Sequence, residues 1–229
     1  MKLVSEALAA HVPVEAVFAA PGAPAELLER AAAGGARVHH LAPGVLERVV
    51  GTVTPQPVVA VVPFVDVSLD ELHDAGLVVV CVDVRDPGNA GTVLRSAEAA
   101  GANGVVCCDG SVDVYNPKAV RASAGSLFHV RVVTGGDAVE VLERMRTWGL
   151  RRVGAVAHGG RDYTAVDLTR PTALVLGNEA HGLPAEVTMA LDDEVTIPMS
   201  GRSESLNVGM AAAVLCFEAA RQRRVARAG

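Results

Sequence analysis

Polar residues able to do chemistry gather in three short strings. The first, Asp-Val-Arg-Asp-Pro-Gly-Asn-Ala-Gly-Thr-Val-Leu-Arg at 83–95, places Asn89, Gly91 and Arg95 where an apolar run gives way to a helical pattern. Asn89 and Arg95 stand about one and a half turns apart, so both are expected to face one crevice. An arginine there suits a phosphate, which its planar fork grips with paired hydrogen bonds. A helix cap at Asn89, a glycine turn and a surface arginine explain the string equally well. The second string, 174–184, is an apolar run that ends in Gly177, Asn178 and Glu179 and turns at Gly182 before Pro184 opens a helix. Gly177 would let a ligand approach the backbone closely. In the third, 197–219, Ser205 and Asn207 bracket the start of a closing helix, whose free amides suit an anionic group. Ser205 also reads as a plain helix cap.

Each string follows an apolar strand, and open α/β sheets bind ligands at the carboxyl ends of their strands. The elements needed to position them are legible. From Leu77 onward, Leu-Val-Val-Val-Cys-Val-Asp-Val, Gly-Val-Val-Cys-Cys, Phe-His-Val-Arg-Val-Val, Val-Gly-Ala-Val-Ala and Thr-Ala-Leu-Val-Leu-Gly alternate with helical stretches. Continuous apolar runs are expected where helices cover both faces of a mainly parallel sheet. Leu206, Met210, Ala213, Val214 and Phe217 stripe the last helix at 3.6-residue spacing. Residues 14–62 alternate Val-Glu-Ala-Val-Phe-Ala, Val-His-His-Leu and Val-Val-Ala-Val-Val with helical stretches, a smaller α/β unit. The chain is therefore expected to be α/β, with a small domain at 1–65, a linker at 66–76 and a main domain at 77–229.

With 229 residues, half of them hydrophobic, the chain can bury a real core. Its formal net charge of −6 argues against indiscriminate binding to a phosphate backbone. Residues 1–70 hold 4 basic and 7 acidic side chains, so the small unit is no basic arm and any nucleic-acid contact must be local. Cys81, Cys107, Cys108 and Cys216 form no C-x-x-C pair, and no histidine stands at zinc-ligand spacing; buried thiols and no metal are expected. Glu6 interrupts the start where a signal peptide needs apolar residues, and no run approaches a membrane span. A soluble, cytoplasmic protein is expected. No G-x-G-x-x-G and no G-K-[ST] is present, which counts against a dinucleotide or phosphate-loop enzyme.

Taken together, the strings resemble the three signature motifs of the SpoU (TrmH) family of RNA ribose 2′-O-methyltransferases in the SPOUT superfamily. The first motif falls on Asn89, Gly91 and Arg95, the second on Gly177, Asn178, Glu179 and Gly182, the third on Ile197 to Val208. The resemblance implies a catalytic domain whose second and third loops form a deep trefoil knot, an exception to the rule against knots. It implies S-adenosylmethionine as cofactor, held bent through backbone groups that fall on Leu176, Gly177, Ile197, Met199 and Leu206. It also implies a homodimer with the last helix near the interface; core packing explains the apolar stripe of that helix equally well. The smaller unit resembles a substrate-binding domain similar to ribosomal proteins. Such domains carry a basic segment ahead of the run matching Leu-Val-Ser-Glu-Ala-Leu-Ala-Ala, and this sequence begins almost at that run, so the domain is expected to be shortened at its N-terminus.

By the same resemblance, Arg95 is the general base for the ribose hydroxyl. Holding a guanidinium of pKa ~13 neutral near pH 7 would cost about 8 kcal/mol, so a charged clamp on phosphate and developing alkoxide is the other reading. Asn89 and Asn207 would orient Arg95 and the ribose, Ser205 would hold a phosphate or the nucleotide, and Glu179 would fix the loop or the arginine. Arg85, Lys118, Arg121 and Arg202 are further candidate RNA contacts; a solvated helix face explains Lys118 and Arg121 as well. An N-terminal substrate domain tilts the expected target towards 23S ribosomal RNA over transfer RNA. A non-catalytic RNA-binding protein of the same fold is the remaining alternative.

Overall fold

Residues 1–65 build a unit of their own in the computed structural model, which describes residues 1–50 and 56–228. Its elements are α1 (Lys2–Ala9), β1 (Ala16–Ala19), α2 (Ala25–Ala33), β2 (Arg37–His40), α3 (Val45–Val50) and β3 (Val58–Val61). The three strands form a sheet in the order β2-β1-β3, with β2 parallel and β3 antiparallel to β1. Leu27 and Ala31 lie four residues apart on α2, and both are buried, as are Val4 and Ala7 of α1 and Val17 of β1. That spacing keeps one stripe of each helix out of water.

Residues 66–229 form the second unit. It runs β4 (Leu77–Cys81), α4 (Pro87–Ala99), β5 (Gly104–Cys107), α5 (Pro117–Ser123), β6 (Arg131–Thr134), α6 (Ala138–Thr147), β7 (Arg151–Ala155), β8 (Arg161–Asp162), β9 (Thr172–Leu176), α7 (Ala185–Met189), β10 (Asp193–Thr196) and α8 (Val208–Ala228). Among the described residues the strands make one seven-stranded sheet, ordered β6-β5-β4-β9-β7-β10-β8 and parallel throughout. Strands β4 and β9 are buried along their whole length, which is why they read as unbroken apolar runs. Val78, Val80, Val106, Leu142, Met145 and Val175 share one core cluster, and burying each such side chain contributes about 1.5–3 kcal/mol. Asp137 starts α6 by accepting from the amides of Val139 and Glu140. At its other end the Arg144 guanidinium lies 5.6 Å over the half-buried ring of Trp148.

Three local expectations change. Residues 66–76 are not a linker: Val67 donates to Val132 O, and Leu72, fully buried, sits in the core of the second unit. Val67, Leu69, Leu72 and Ala75 all join or pack against that core, but their uneven spacing among charged residues matches neither the strand nor the helix period. The closing helix begins at Val208 and is capped by Asn207, not Ser205. Its core face is Val208, Ala212, Leu215, Cys216 and Ala219, while Met210 (55% exposed) and Phe217 (52%) of the apolar stripe face outward. All four cysteines are buried. No helix among the described residues is long and apolar enough to cross a membrane.

Candidate active site

The sheet order decides where the first two strings meet. Cys81 at the end of β4 pairs with Leu176 at the end of β9, and Val82 N donates to Leu176 O at 2.8 Å. Residues 82–86 and 177–183 therefore leave the sheet side by side, in the crevice where parallel sheets bind ligands. The Asp-Pro pair starts α4. The Asp86 carboxylate accepts from the Asn89 amide at 2.8 Å, and Pro87 occupies the first helical position, where its missing N–H is not needed. The helix cap is thus Asp86, which leaves the Asn89 side chain free for other partners.

Those partners tie the three strings together. Asn89 Nδ2 donates to Glu179 Oε1 at 2.9 Å, and Asn207 Nδ2 donates to Asn89 Oδ1 at 2.8 Å. Glu179 also accepts from the backbone amides of Asp86 (3.2 Å) and Arg85 (3.3 Å). Asn207 Oδ1 accepts from Gly209 N and Met210 N and so caps α8. Partial burial works against the Glu179 charge, but hydrogen bonds from Asn89 and from backbone amides outweigh it and hold its carboxyl below the ordinary range. Glu179 is a fixed anion between the loops, and none of its bonds reaches Arg95.

Arg95 lies elsewhere. Six residues beyond Asn89, it is rotated about 120° around α4 and so leaves the face that Asn89 occupies. Its flanks on the helix are taken: a Cβ on Gly91 would lie 2.4 Å from Ala122 Cβ and 2.6 Å from Ala119 O of α5, and Thr92 packs against Gly209 of α8. Arg95 projects between them, exposed, with no hydrogen bond or ion pair among the described residues. The chain by itself joins Asn89, Glu179 and Asn207 and does not bring Arg95 to them.

Beside this network opens a cavity of about 500 Å³, lined by Leu176, Gly177, Ile197, Ser205 and Leu206, all expected from the sequence. Met199 is not among its lining residues. Gly177 is buried against the chain itself, because a Cβ there would meet the backbone of Gly182 and Leu183 at 2.4–2.7 Å. His181 and Glu204, which lie inside the second and third strings, and His158, which follows β7 and carried no signal in the sequence, also line the cavity. Asn178, named only as part of its motif, accepts from Ala180 N and His181 N and donates to the carbonyl (2.9 Å) and carboxylate (3.0 Å) of Asp83. Arg85 pairs with Asp83 through Nε at 2.7 Å while its side chain stays 71% exposed. Lys118 and Arg121 are exposed on α5, and Arg202 is exposed in the loop before α8. No cluster of metal-ligating side chains occurs among the described residues.

The profile of the SpoU rRNA methylase family matches residues 76–217. The chain belongs to this family. A second profile, RNA 2′-O ribose methyltransferase substrate binding, matches residues 1–66. Among SpoU relatives, the 23S rRNA (uridine(2479)-2′-O)-methyltransferase of Streptomyces viridochromogenes is 40% identical over 74% of this chain, a span equal to 61% of that relative. The 23S rRNA (guanosine(2553)-2′-O)-methyltransferase of Bacillus subtilis is 33% identical over 80% of this chain and 72% of its own. An AdoMet-bound rRNA methyltransferase from Sinorhizobium meliloti superposes with a TM-score of 0.86 at 30% identity, covering 96% of this chain and 85% of the other.

Proposed function

We propose that the protein transfers the methyl group of S-adenosylmethionine to a ribose 2′-hydroxyl of structured RNA, with 23S ribosomal RNA the favoured target over transfer RNA. The observation that carries this reading is the hydrogen-bonded line Asn207–Asn89–Glu179 running beside the cavity at the ends of β4 and β9. The cavity suits the cofactor: Leu176, Ile197 and Leu206 offer apolar surface to an adenine ring, and Glu204 offers charge to a sulfonium. When bound, the cofactor supplies the electrophilic methyl group. The protein's own part is alignment. Leu176, Gly177, Ile197 and Leu206 hold the cofactor, together with Met199; Asn89 and Asn207 orient the ribose; Ser205 meets a phosphate. Restricting the two reactants to one geometry accounts for much of the rate.

Arg95 acts as a charged clamp on the RNA phosphate and on the oxygen that develops charge, because a guanidinium gives up its proton only at great cost. Since Arg95 is turned away from Asn89 within one chain, the reading includes a homodimer in which a second copy completes the site. The outward stripe of Met210 and Phe217 on α8 supports an interface there. The reading also takes the loops 174–184 and 197–208 as the threaded part of a trefoil knot. Residues 1–65 serve as an RNA-binding domain of ribosomal-protein type, supplemented by Arg85, Lys118, Arg121 and Arg202, and the RNA substrate puts the protein to work in the cytoplasm.

The test is transfer of labelled methyl from S-adenosylmethionine to ribosomal and transfer RNA from a strain lacking the protein. Ribosomal RNA is expected to gain label at one ribose, and Arg95→Ala to abolish transfer while keeping the wild-type melting curve. Equal, negligible label from wild type and Arg95→Ala on every RNA would sink the reading.

A further inference from the structure

The seam between the cofactor loop and the first loop contains a residue outside the three motifs. Asp83 follows β4 with φ of 56°, a left-handed conformation that side chains other than Asn and Asp take up at a cost. Its carbonyl and carboxylate both accept from Asn178 Nδ2, and its carboxylate also holds Arg85 Nε at 2.7 Å. Space for that carboxylate comes from Gly110, where a Cβ would stand 3.1 Å from Asp83 Oδ1. Asn178 in turn shapes the turn 178–182 on the wall of the cavity. One carboxylate therefore grips the cofactor loop with one oxygen and a largely exposed arginine with the other.

We propose that Asp83 is a positioning residue that couples the two substrates: it aims Arg85 at an RNA phosphate while pinning the loop that lines the cofactor cavity, so that each ligand binds tighter when the other is present. This rests on the RNA methyltransferase reading above. The coupling follows from geometry, because an Asn178 turn ordered by a ligand in the cavity fixes the Asp83 backbone, and with it the starting point of the Arg85 side chain. Linkage makes the effect reciprocal.

Two variants separate coupling from folding. Asp83→Asn tolerates the left-handed backbone and keeps an acceptor for Asn178 but loses the charge that holds Arg85; Asp83→Ala loses both. RNA affinity is measured by filter binding with and without saturating S-adenosylhomocysteine, and S-adenosylhomocysteine affinity by calorimetry with and without RNA. Wild type is expected to bind RNA about tenfold tighter with the nucleoside present, within the usual range of coupling. Asp83→Asn is expected to keep wild-type affinity for S-adenosylhomocysteine alone, to raise KM for RNA with kcat little changed, and to lose most of the tenfold ratio. Asp83→Ala is expected to weaken both affinities and to abolish the ratio. An unchanged ratio in Asp83→Asn, or no ratio in wild type, overturns the proposal even where methyl transfer is intact; absence of methyl transfer by wild type overturns the underlying reading instead.

Discussion

Replacing Gly91 by alanine tests whether α4 is held by contact of one backbone with another. The added methyl would stand 2.4 Å from Ala122 Cβ, 2.6 Å from Ala119 O and 2.9 Å from Ser123 N, all on α5. Two of the three are main-chain atoms, so no side chain can swing aside and α5 itself must move. Overpacking of this kind costs about 1–3 kcal/mol, and alanine returns up to ~1 kcal/mol of helix propensity. Contacts this short, two of them to main chain, put the cost in the upper part of that range, about 2–3 kcal/mol, so the net loss is about 1–2 kcal/mol. For a unit of this size that is a fall in Tm of about 2–8 °C. Thermal unfolding followed by circular dichroism reads it. In the double variant Gly91→Ala, Ala122→Gly the 2.4 Å contact goes but the carbonyl contact stays, so recovery is partial. Methyl transfer drops along with stability, because α4 carries Asn89. A Gly91→Ala protein that melts at or above the wild-type temperature would refute the reasoning, since propensity alone predicts that gain.

Two further substitutions divide roles that the structure combines in one side chain. Asn207→Asp keeps an oxygen for the amides of Gly209 and Met210 and adds favourable charge at the start of α8, but cannot donate to Asn89. It is expected to unfold within about 0.5 kcal/mol of wild type yet transfer methyl poorly, whereas Asn207→Ala loses the cap as well, at about 1 kcal/mol in urea titrations. For Glu179 the lowered pKa fixes the sign: its stabilisation is present above the unfolded carboxylate value of about 4.3 and is lost as pH falls through the lower folded value. The urea midpoint of wild type should therefore fall more steeply than that of Glu179→Gln on acidification below that range, and parallel curves would count against the network.

What the sequence could reveal depended on whether the signal was periodic. Strands β4 and β9 are unbroken apolar runs because helices cover both faces, so both were legible as strands, although the runs as read continue to Val84 and Gly177, past the residues that pair. The meeting of Asn89, Glu179 and Asn207 was legible only as membership of shared motifs, since β4 and β9 are neighbours in space but pair Leu77 with Thr172, far along the sequence. Arg95 was misplaced by counting turns without angle: six residues carry it past the Asn89 face. The α8 stripe left two readings open, because an Ala-rich helix has two apolar faces and only the contact with α4 at Thr92 and Gly209 decides which is inward. Asp83 stood at the head of the first string with no role attached, as its left-handed φ is a property of the fold around it.

Trp148 is the chain's only tryptophan. It sits at the end of α6 beneath Arg144, within the second unit and away from the cavity lining. Its emission is consequently an optical probe of one unit alone: it should change when residues 66–229 lose their packing and stay dark to events in residues 1–65, which circular dichroism sees as well. Recording both signals on one sample resolves whether the two units melt as one transition or as two.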